Sequence, residues 1–396
     1  MIGRVVVFGG HIQALGLARQ VGGLTNEWLA ENCKREVILL VDDGFSVARF
    51  SRSITKTIVY HSIGELASIV ESLVLPNKGT LLFPTNDKAV EWLCRHYEEY
   101  KERFALGVPE PDVIALFNNK RTAYKYAAAH KVPCPECWYP DTLAEVKELS
   151  DALPYPVVVK PAIMYSFHAT FGKKAFRCDK AEELMSVYKR IADAHYPLES
   201  ILIQEFLTGG PKHLYSYGVM AAEGRVLVSI EANRVRQNPM DFGNSTTFAV
   251  TCDIPEIEAQ SVRLLAETQY FGLGEVEWMW DEKSGQYKFL EINTRAWKWH
   301  TMSNMLGFSF IGSMIDWFDG QNTCTPHITH PSPVAWCERL TDWAVVMKEM
   351  LHGRMKLLDV IKSYKIPHES AVWSWKDPLP GIIYILLSPI LYLKRH

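Results

Sequence analysis

Two short stretches near residue 280 constrain this chain more than any other feature. Gly274 to Trp280 sets an apolar residue at every second position, through Val276, Trp278 and Trp280, and Lys288 to Asn293 reads as the next strand. Strict alternation marks a strand with one buried face, and Glu282 to Gln286 supplies a five-residue turn between the two. With that turn, position 281 faces 287 and Glu277 faces Glu291 across the ladder. Side chains two apart share a face, so Asn293 joins them. Opposed carboxylates on one sheet face repel. Either both line a solvated face, or a cation relieves the repulsion. Hard oxygen ligands that leave room for water and phosphate suit Mg²⁺, with Mn²⁺ as an alternative.

A chain of 396 residues exceeds a single core, and two or three domains are expected. A net charge of −3 without a long Lys/Arg run excludes a nucleic-acid partner. The cysteines at 33, 94, 134, 137, 178, 252, 324 and 337 are too few for a disulfide scaffold of this size. The first residues run straight into a strand and lack a cleavable-signal pattern, so a cytoplasmic protein with free thiols is expected. Cys134-Pro-Glu-Cys137 is a lone CxxC. It lacks the second pair that zinc needs, and its prolines oppose the helix start a redox motif wants.

Residues 1 to about 110 alternate short strands and helices, which gives a parallel α/β domain. Gly9-Gly10 opens its first helix, but no full GxGxxG follows, so a dinucleotide site is not expected. The backbone amides there could still hold an anionic substrate. From Pro111 the texture changes to an α+β pattern, and 321–396 reads as a helical C-terminal extension with an apolar tail.

Chemistry-bearing residues recur along the middle of the chain. Lys120 opens a helix after Asn118-Asn119, where a cation is slightly misplaced against the helix dipole unless an anion binds there. Lys160 ends the strand Val157-Val-Val-Lys160, and a lysine there must be paired or face a polar cavity. Lys173 and Lys174 follow Gly172, and alternation lets only one of the two face a site. Gln204-Glu205-Phe206 leaves a strand and could present main-chain groups, a carboxylate and a ring to an adenine. Arg234, Arg236 and Arg295 offer guanidinium forks for phosphoryl or carboxylate groups. The bland alternatives are a strand-end lysine, an ordinary strand exit and surface arginines.

The order Lys120, Lys160, Gln204-Glu205, Glu277, Glu291-Ile-Asn293-Thr-Arg295 resembles the ATP-grasp superfamily over about residues 1 to 320. Val276-Glu277-Trp278 and Glu291-Ile-Asn293-Thr-Arg295 look like the metal-binding strands of biotin carboxylase and carbamoyl-phosphate synthetase. The resemblance implies a nucleotide held between two α+β subdomains of a 111–320 domain, with a lid subdomain at about 155–206. It implies that Lys120 and Lys160 contact ATP phosphates, that Glu277, Glu291 and Asn293 hold Mg²⁺, and that Arg295 binds an acyl-phosphate or second substrate. The long glycine-rich loop of biotin-handling members is missing, and only Gly172 stands there. Gly172-Lys-Lys-Ala-Phe, Arg234-x-Arg236, Gly243-x-Ser-Thr and Asp377-Pro-Leu-Pro resemble stand-alone carboxylate–amine ligases, including the D-aspartate ligase-like group linked to cell-envelope assembly.

The expected activity is amide formation between a carboxylate and an amine, an amino acid among the candidates, through an acyl-phosphate, with ADP released. The alternatives are a carboxylase-type activation and a non-catalytic nucleotide-binding module of an envelope-assembly complex. The 164–174 segment is expected to be a closing loop. A homodimer is possible for such a chain. The tail Ile382 to Leu393 is too short to span a bilayer, and Pro389 is expected to interrupt its helix. It therefore reads either as a contact with a partner or with the inner face of a membrane, or as a tail buried in the protein's own core or a dimer seam.

Overall fold

Alternation along Arg4–Phe8 decides the first sheet. Val5 and Val7 enter a core beneath the helix Ile12–Val21, while Val6 and Phe8 enter another with Leu66, Val70 and Trp92. A strand buried on both faces is the signature of a parallel sheet between helix layers. β1 (Arg4–Phe8), β2 (Glu36–Val41), β3 (Lys56–Val59), β4 (Thr80–Pro84) and β5 (Ala105–Leu106) run parallel in the order β3-β2-β1-β4-β5. Gly9 adopts φ 110°, and a Cβ there would lie 2.5 Å from Thr85 Oγ1, so the β1 exit needs glycine. Asn86 caps the helix Asp87–Arg95 by accepting from the Ala89 amide at 3.0 Å. The computed structural model describes residues 1–24, 35–208, 210–240, 243, 245–321 and 332–395, with backbone only at 164–166, 168, 211 and 389–395. Cys33, Gly209, Asn244 and Cys324 lie outside the described residues.

A small antiparallel sheet follows, built of β6 (Cys137–Trp138), β7 (Val157–Pro161), β8 (Phe176–Cys178) and β9 (Ile201–Glu205) in the order β6-β9-β7-β8. Val157 and Val159 pack into a core with Leu184, Ile201 and Ile203. The alternation turns Val158 and Lys160 to the opposite face. The segment expected as a loop at 164–174 is helical over Met164–Phe171. Phe167 and Phe171 anchor that helix in the same core, their rings 4.7 Å apart.

The largest sheet has seven strands in the order β14-β13-β10-β11-β12-β15-β16. Its members are β10 (Leu214–Ala222), β11 (Arg225–Asn238), β12 (Ser245–Cys252), β13 (Gly272–Asp281), β14 (Gln286–Asn293), β15 (Ala335–Cys337) and β16 (His368–Ser370). The C-terminal extension thus adds two strands to this sheet besides its helices Arg339–Leu351, Leu357–Tyr364 and Leu379–Arg395. Asp377, just before the last helix, is buried against the first domain: its carboxylate accepts from Arg19 Nε at 2.9 Å and Ser51 Oγ at 2.6 Å. The last helix continues through Pro389, against expectation. Proline has no amide to donate to the carbonyl four residues back. The Ser388 hydroxyl donates to that carbonyl, Ile385 O, at 2.8 Å. Among the described residues no helix is long and apolar enough to cross a membrane.

Candidate active site

The β13–β14 hairpin carries the centre of the site. Val276, Trp278, Phe289 and Ile292 turn into a core with Leu264 and Leu265 of the helix Pro255–Glu267, and the Trp278 indole donates to Ser261 Oγ at 3.0 Å. The opposite face carries Glu275, Glu277, Glu291 and Asn293. Glu277 stands opposite Glu291 as expected, but the route differs. Asp281 pairs with Gln286 rather than with position 287, so the turn is one residue shorter. A bulge between Glu277 and Trp278 leaves Leu290 as the extra residue and restores the register at the glutamates. The Asn293 amide donates to Glu277 at 2.9 Å and to Glu275 at 3.2 Å.

Four cations converge on this face from four elements. Lys120 is the first residue of its helix, which Asn119 caps by accepting from the Arg121 amide at 2.9 Å. Its Nζ reaches Glu291 at 2.5 Å. Arg234 of β11 places NH1 2.5 Å from Glu277 and is itself buried, with its Nε unpartnered. Lys160 donates to the neutral Tyr124 hydroxyl at 2.9 Å, which in turn donates to Gln204 at 3.2 Å. Burial, with the charge of Lys120 second, lowers the Lys160 ammonium to about 8. Of the lysine pair, Lys174 is the one that senses the site: burial lowers it to about 8 against the pull of Glu291 and Glu277. Lys173 instead lies 5.6 Å over the Phe176 ring. Burial raises the Glu277 carboxyl, whereas Lys120 lowers that of Glu291, so the two opposed carboxyls are driven apart.

Two expectations land elsewhere. Arg236 does not reach the cluster. Its fork is closed on Asp342 at 2.9 and 2.8 Å, with NH1 donating to Ser363 and the guanidinium 4.1 Å over Phe248. A bulge between Asn233 and Arg236 breaks the spacing that would have put both arginines on one face. The Glu205 carboxylate is held by Lys288 and by the Glu136 amide at 2.9 Å, not turned out to accept from an adenine. Phe206 carries the Arg177 guanidinium 4.5 Å over its ring. Arg295 stays at the rim of the cluster: its Nε lies 2.5 Å from Asp87 of the first domain, and against the effect of burial the charges of Asp87, Glu275 and Glu291 raise its guanidinium pKa.

Tyr124 and Glu275 belong to the site and escaped the sequence reading, although spacing could have found both. Tyr124 lies one helical turn after Lys120. Glu275 lies two before Glu277, on the same strand face, and accepts from the Trp299 indole at 2.8 Å. Nothing in the sequence points from Arg295 to Asp87, 208 residues away.

The donor chemistry fits a magnesium-bound polyphosphate. Two carboxylates and an amide oxygen are hard ligands, and the cations around them outnumber what the glutamates neutralise. The buried, unpartnered Arg234 Nε and a half-buried Lys160 on a neutral hydroxyl are donors suited to an anion. Among the described residues no group of three or more His, Cys, Asp or Glu side chains is placed to hold a metal ion, so Mg²⁺ here would depend on Asn293 and on phosphate and water oxygens besides the two carboxylates.

The family model for the carbamoyl-phosphate synthase L chain, ATP binding domain, matches residues 119–316, half of the chain. The chain belongs to the ATP-grasp superfamily. Among the relatives of this ATP-grasp chain, D-aspartate ligase of Enterococcus faecium is 26% identical over 232 residues, 55% of this chain and 54% of that protein. Biotin carboxylase of a Nostoc species is 27% identical over 272 residues, 62% of this chain and 57% of that protein. The chain thus spans about half the length of the curated relatives it matches. The ADP complex of N5-carboxyaminoimidazole synthetase from Staphylococcus aureus superposes with a TM-score of 0.65 at 14% identity, covering 89% of this chain and 86% of the other. A biotin carboxylase domain dimer from Hydrogenobacter thermophilus, in complex with MgADP, ADP and bicarbonate, gives 0.61 at 16%, covering 81% and 70%. Both support the ATP-grasp fold over most of the chain.

Proposed function

We propose that the chain is an ADP-forming ligase that joins a carboxylate to an amine. The observation that carries this reading is the convergence of Lys120, Lys160, Lys174 and Arg234 on the opposed Glu277 and Glu291. The substrate carboxylate oxygen attacks the γ-phosphorus of ATP and ADP leaves. The amine nitrogen then attacks the acyl carbon, the bond from that carbon to the phosphate oxygen breaks with its electron pair on phosphate, and the proton shed by the nitrogen goes to the departing phosphate or to water. Phosphoryl transfer of this kind calls for positioning and charge neutralisation rather than a side-chain nucleophile. Lys160, Lys174 and Arg234 would hold phosphate oxygens. Glu277, Glu291 and Asn293 would hold Mg²⁺, which neutralises charge on the transferring phosphoryl. For Mg²⁺ to take Glu291, the Lys120 ammonium must share or leave that carboxylate.

The amino-acid ligase among the relatives favours an amino acid as one substrate, in a cytoplasmic step of envelope or amino-acid-conjugate synthesis. The reading takes 1–110, 111–320 and 321–396 as domains and allows a homodimer. The biotin carboxylase among the relatives favours a second reading, bicarbonate activation. One experiment separates them: ADP release with Mg²⁺ and a matrix of carboxylates and amines, beside an arm with bicarbonate and biotin. Turnover that requires a carboxylate–amine pair supports the ligase. Turnover only with bicarbonate sinks it.

A further inference from the structure

The C-terminal helices carry a surface that the ATP-grasp cleft does not use. On Arg339–Leu351, the residues Leu340, Trp343, Met347 and Leu351 recur at three- and four-residue spacing, so they share one stripe. All four are exposed, Trp343 to 57% and Leu351 to 82%. Leu358 of the next helix and Leu386 of the last are exposed as well, and Trp375 in the turn between β16 and that last helix is 86% exposed. The stripe joins its neighbours. Trp343 lies 6.4 Å from the Tyr364 ring, and with Trp373 and Ile385 it lines a groove of 330 Å³. Single exposed apolar residues are ordinary, whereas a four-residue stripe beside a groove lined by Trp343 and Trp373, with the Trp375 ring 5.2 Å from Trp373, marks a surface that meets something.

Charge decides what can cover it. The acids of this region are turned inward: Arg236 binds Asp342, Arg354 binds Glu349, Arg19 binds Asp377, and Glu338 accepts from Tyr384. Asp359 is the exposed acid among residues 332–388, while Arg339, Lys348, Lys356, Lys362, Lys365 and Lys376 are exposed. A chain of net charge −3 therefore gathers positive charge beside its apolar helix faces. A two-fold contact between copies would set those cations against their own kind. Tryptophan and lysine around an apolar stripe match the boundary between headgroups and acyl chains.

We propose that this face docks the protein peripherally on an anionic lipid surface. Trp343, Leu351, Leu358, Trp375 and Leu386 enter the boundary, and the lysines meet headgroup phosphates. The inference stands independently of the ligase reading. The test is co-sedimentation of the full chain with vesicles of equimolar phosphatidylcholine and phosphatidylglycerol, and with phosphatidylcholine alone, at low and high salt. The chain is expected in the pellet with the mixed vesicles, in the supernatant with the neutral ones, and partly released by salt. Leu358→Ser with Trp375→Ser, and separately Lys362→Glu with Lys365→Glu, should each weaken binding at least tenfold with an unchanged melting temperature. Failure to bind the mixed vesicles, or wild-type binding by both double variants, overturns the proposal. So does a monomer–dimer equilibrium in sedimentation velocity that the same substitutions abolish without any vesicle binding.

Discussion

Glu277 and Glu291 face each other across the β13–β14 ladder, yet each is drawn to a different cation, Arg234 at 2.5 Å and Lys120 at 2.5 Å. The pair is a held-open gap between two negative groups, with the positive charges supplied from strand β11 and from a separate helix. Anything that binds between them competes with those ion pairs.

Glu291→Gln tests the gap. Removing one of two opposed charges relieves repulsion while it strands Lys120, and the two effects offset, so folding should stay near wild type. ADP release should fall by about 10² or more, the size expected when a metal-borne stabilisation is lost. Wild-type turnover at saturating Mg²⁺ would remove Glu291 from the metal role.

Lys160→Ala should weaken ATP binding by about 2 kcal/mol, the value of one charge-assisted hydrogen bond. Calorimetry on the variant reads this directly. The nucleotide-free protein should melt no lower, because the substitution frees Tyr124 from a desolvated ammonium. An unchanged ATP affinity would reduce Lys160 to a strand-end residue.

The same lysine sets a pH dependence. Its folded pKa of about 8 lies below the usual 10.5, so between these values the unfolded chain binds more protons and this group makes stability rise with pH. Phosphates favour the charged form. ATP binding should therefore take up protons above pH 8 and weaken as pH climbs through that range. Calorimetry in buffers of different ionisation enthalpy measures the uptake. Zero uptake at pH 9 would contradict the assignment.

Arg236→Ala should behave in the opposite way to Lys160→Ala. It leaves Asp342 buried with Thr247 and Tyr364 but without its cation. Breaking such a pair destabilises by about 3–5 kcal/mol. ATP affinity per folded molecule should be unchanged. Urea unfolding and calorimetry together separate this structural role from a catalytic one.

The hairpin shows what was legible and what was not. Alternation at Val276 and Trp278 is a local signal, and it correctly turned Glu277, Glu291 and Asn293 to one face. The register at 281 was wrong, because a bulge at Leu290 leaves no composition mark and its effect cancels the shorter turn. Parallel strands were legible from a different local sign, short runs such as Val5 to Phe8 that are apolar at every position. Arg236 was misplaced because its partner, Asp342, is 106 residues away, and pairing at that distance has no period to read. The helix at 164–171 was missed because Phe167 and Phe171 are held by a core formed from other strands. Pro389 was misread because propensity alone ignores the neighbouring Ser388 hydroxyl.

The Arg19–Asp377 contact joins residues 358 positions apart. During synthesis the first sheet leaves the ribosome long before Asp377 is made. Arg19 then faces water, or a chaperone, for the whole interval in which the ATP-grasp domain is being threaded out. Domains fold as units from the N-terminal side as they emerge. The guanidinium is sealed only when the segment around Asp377 arrives, so closure of this clasp reports residues from beyond the ATP-grasp domain rather than completion of the first domain.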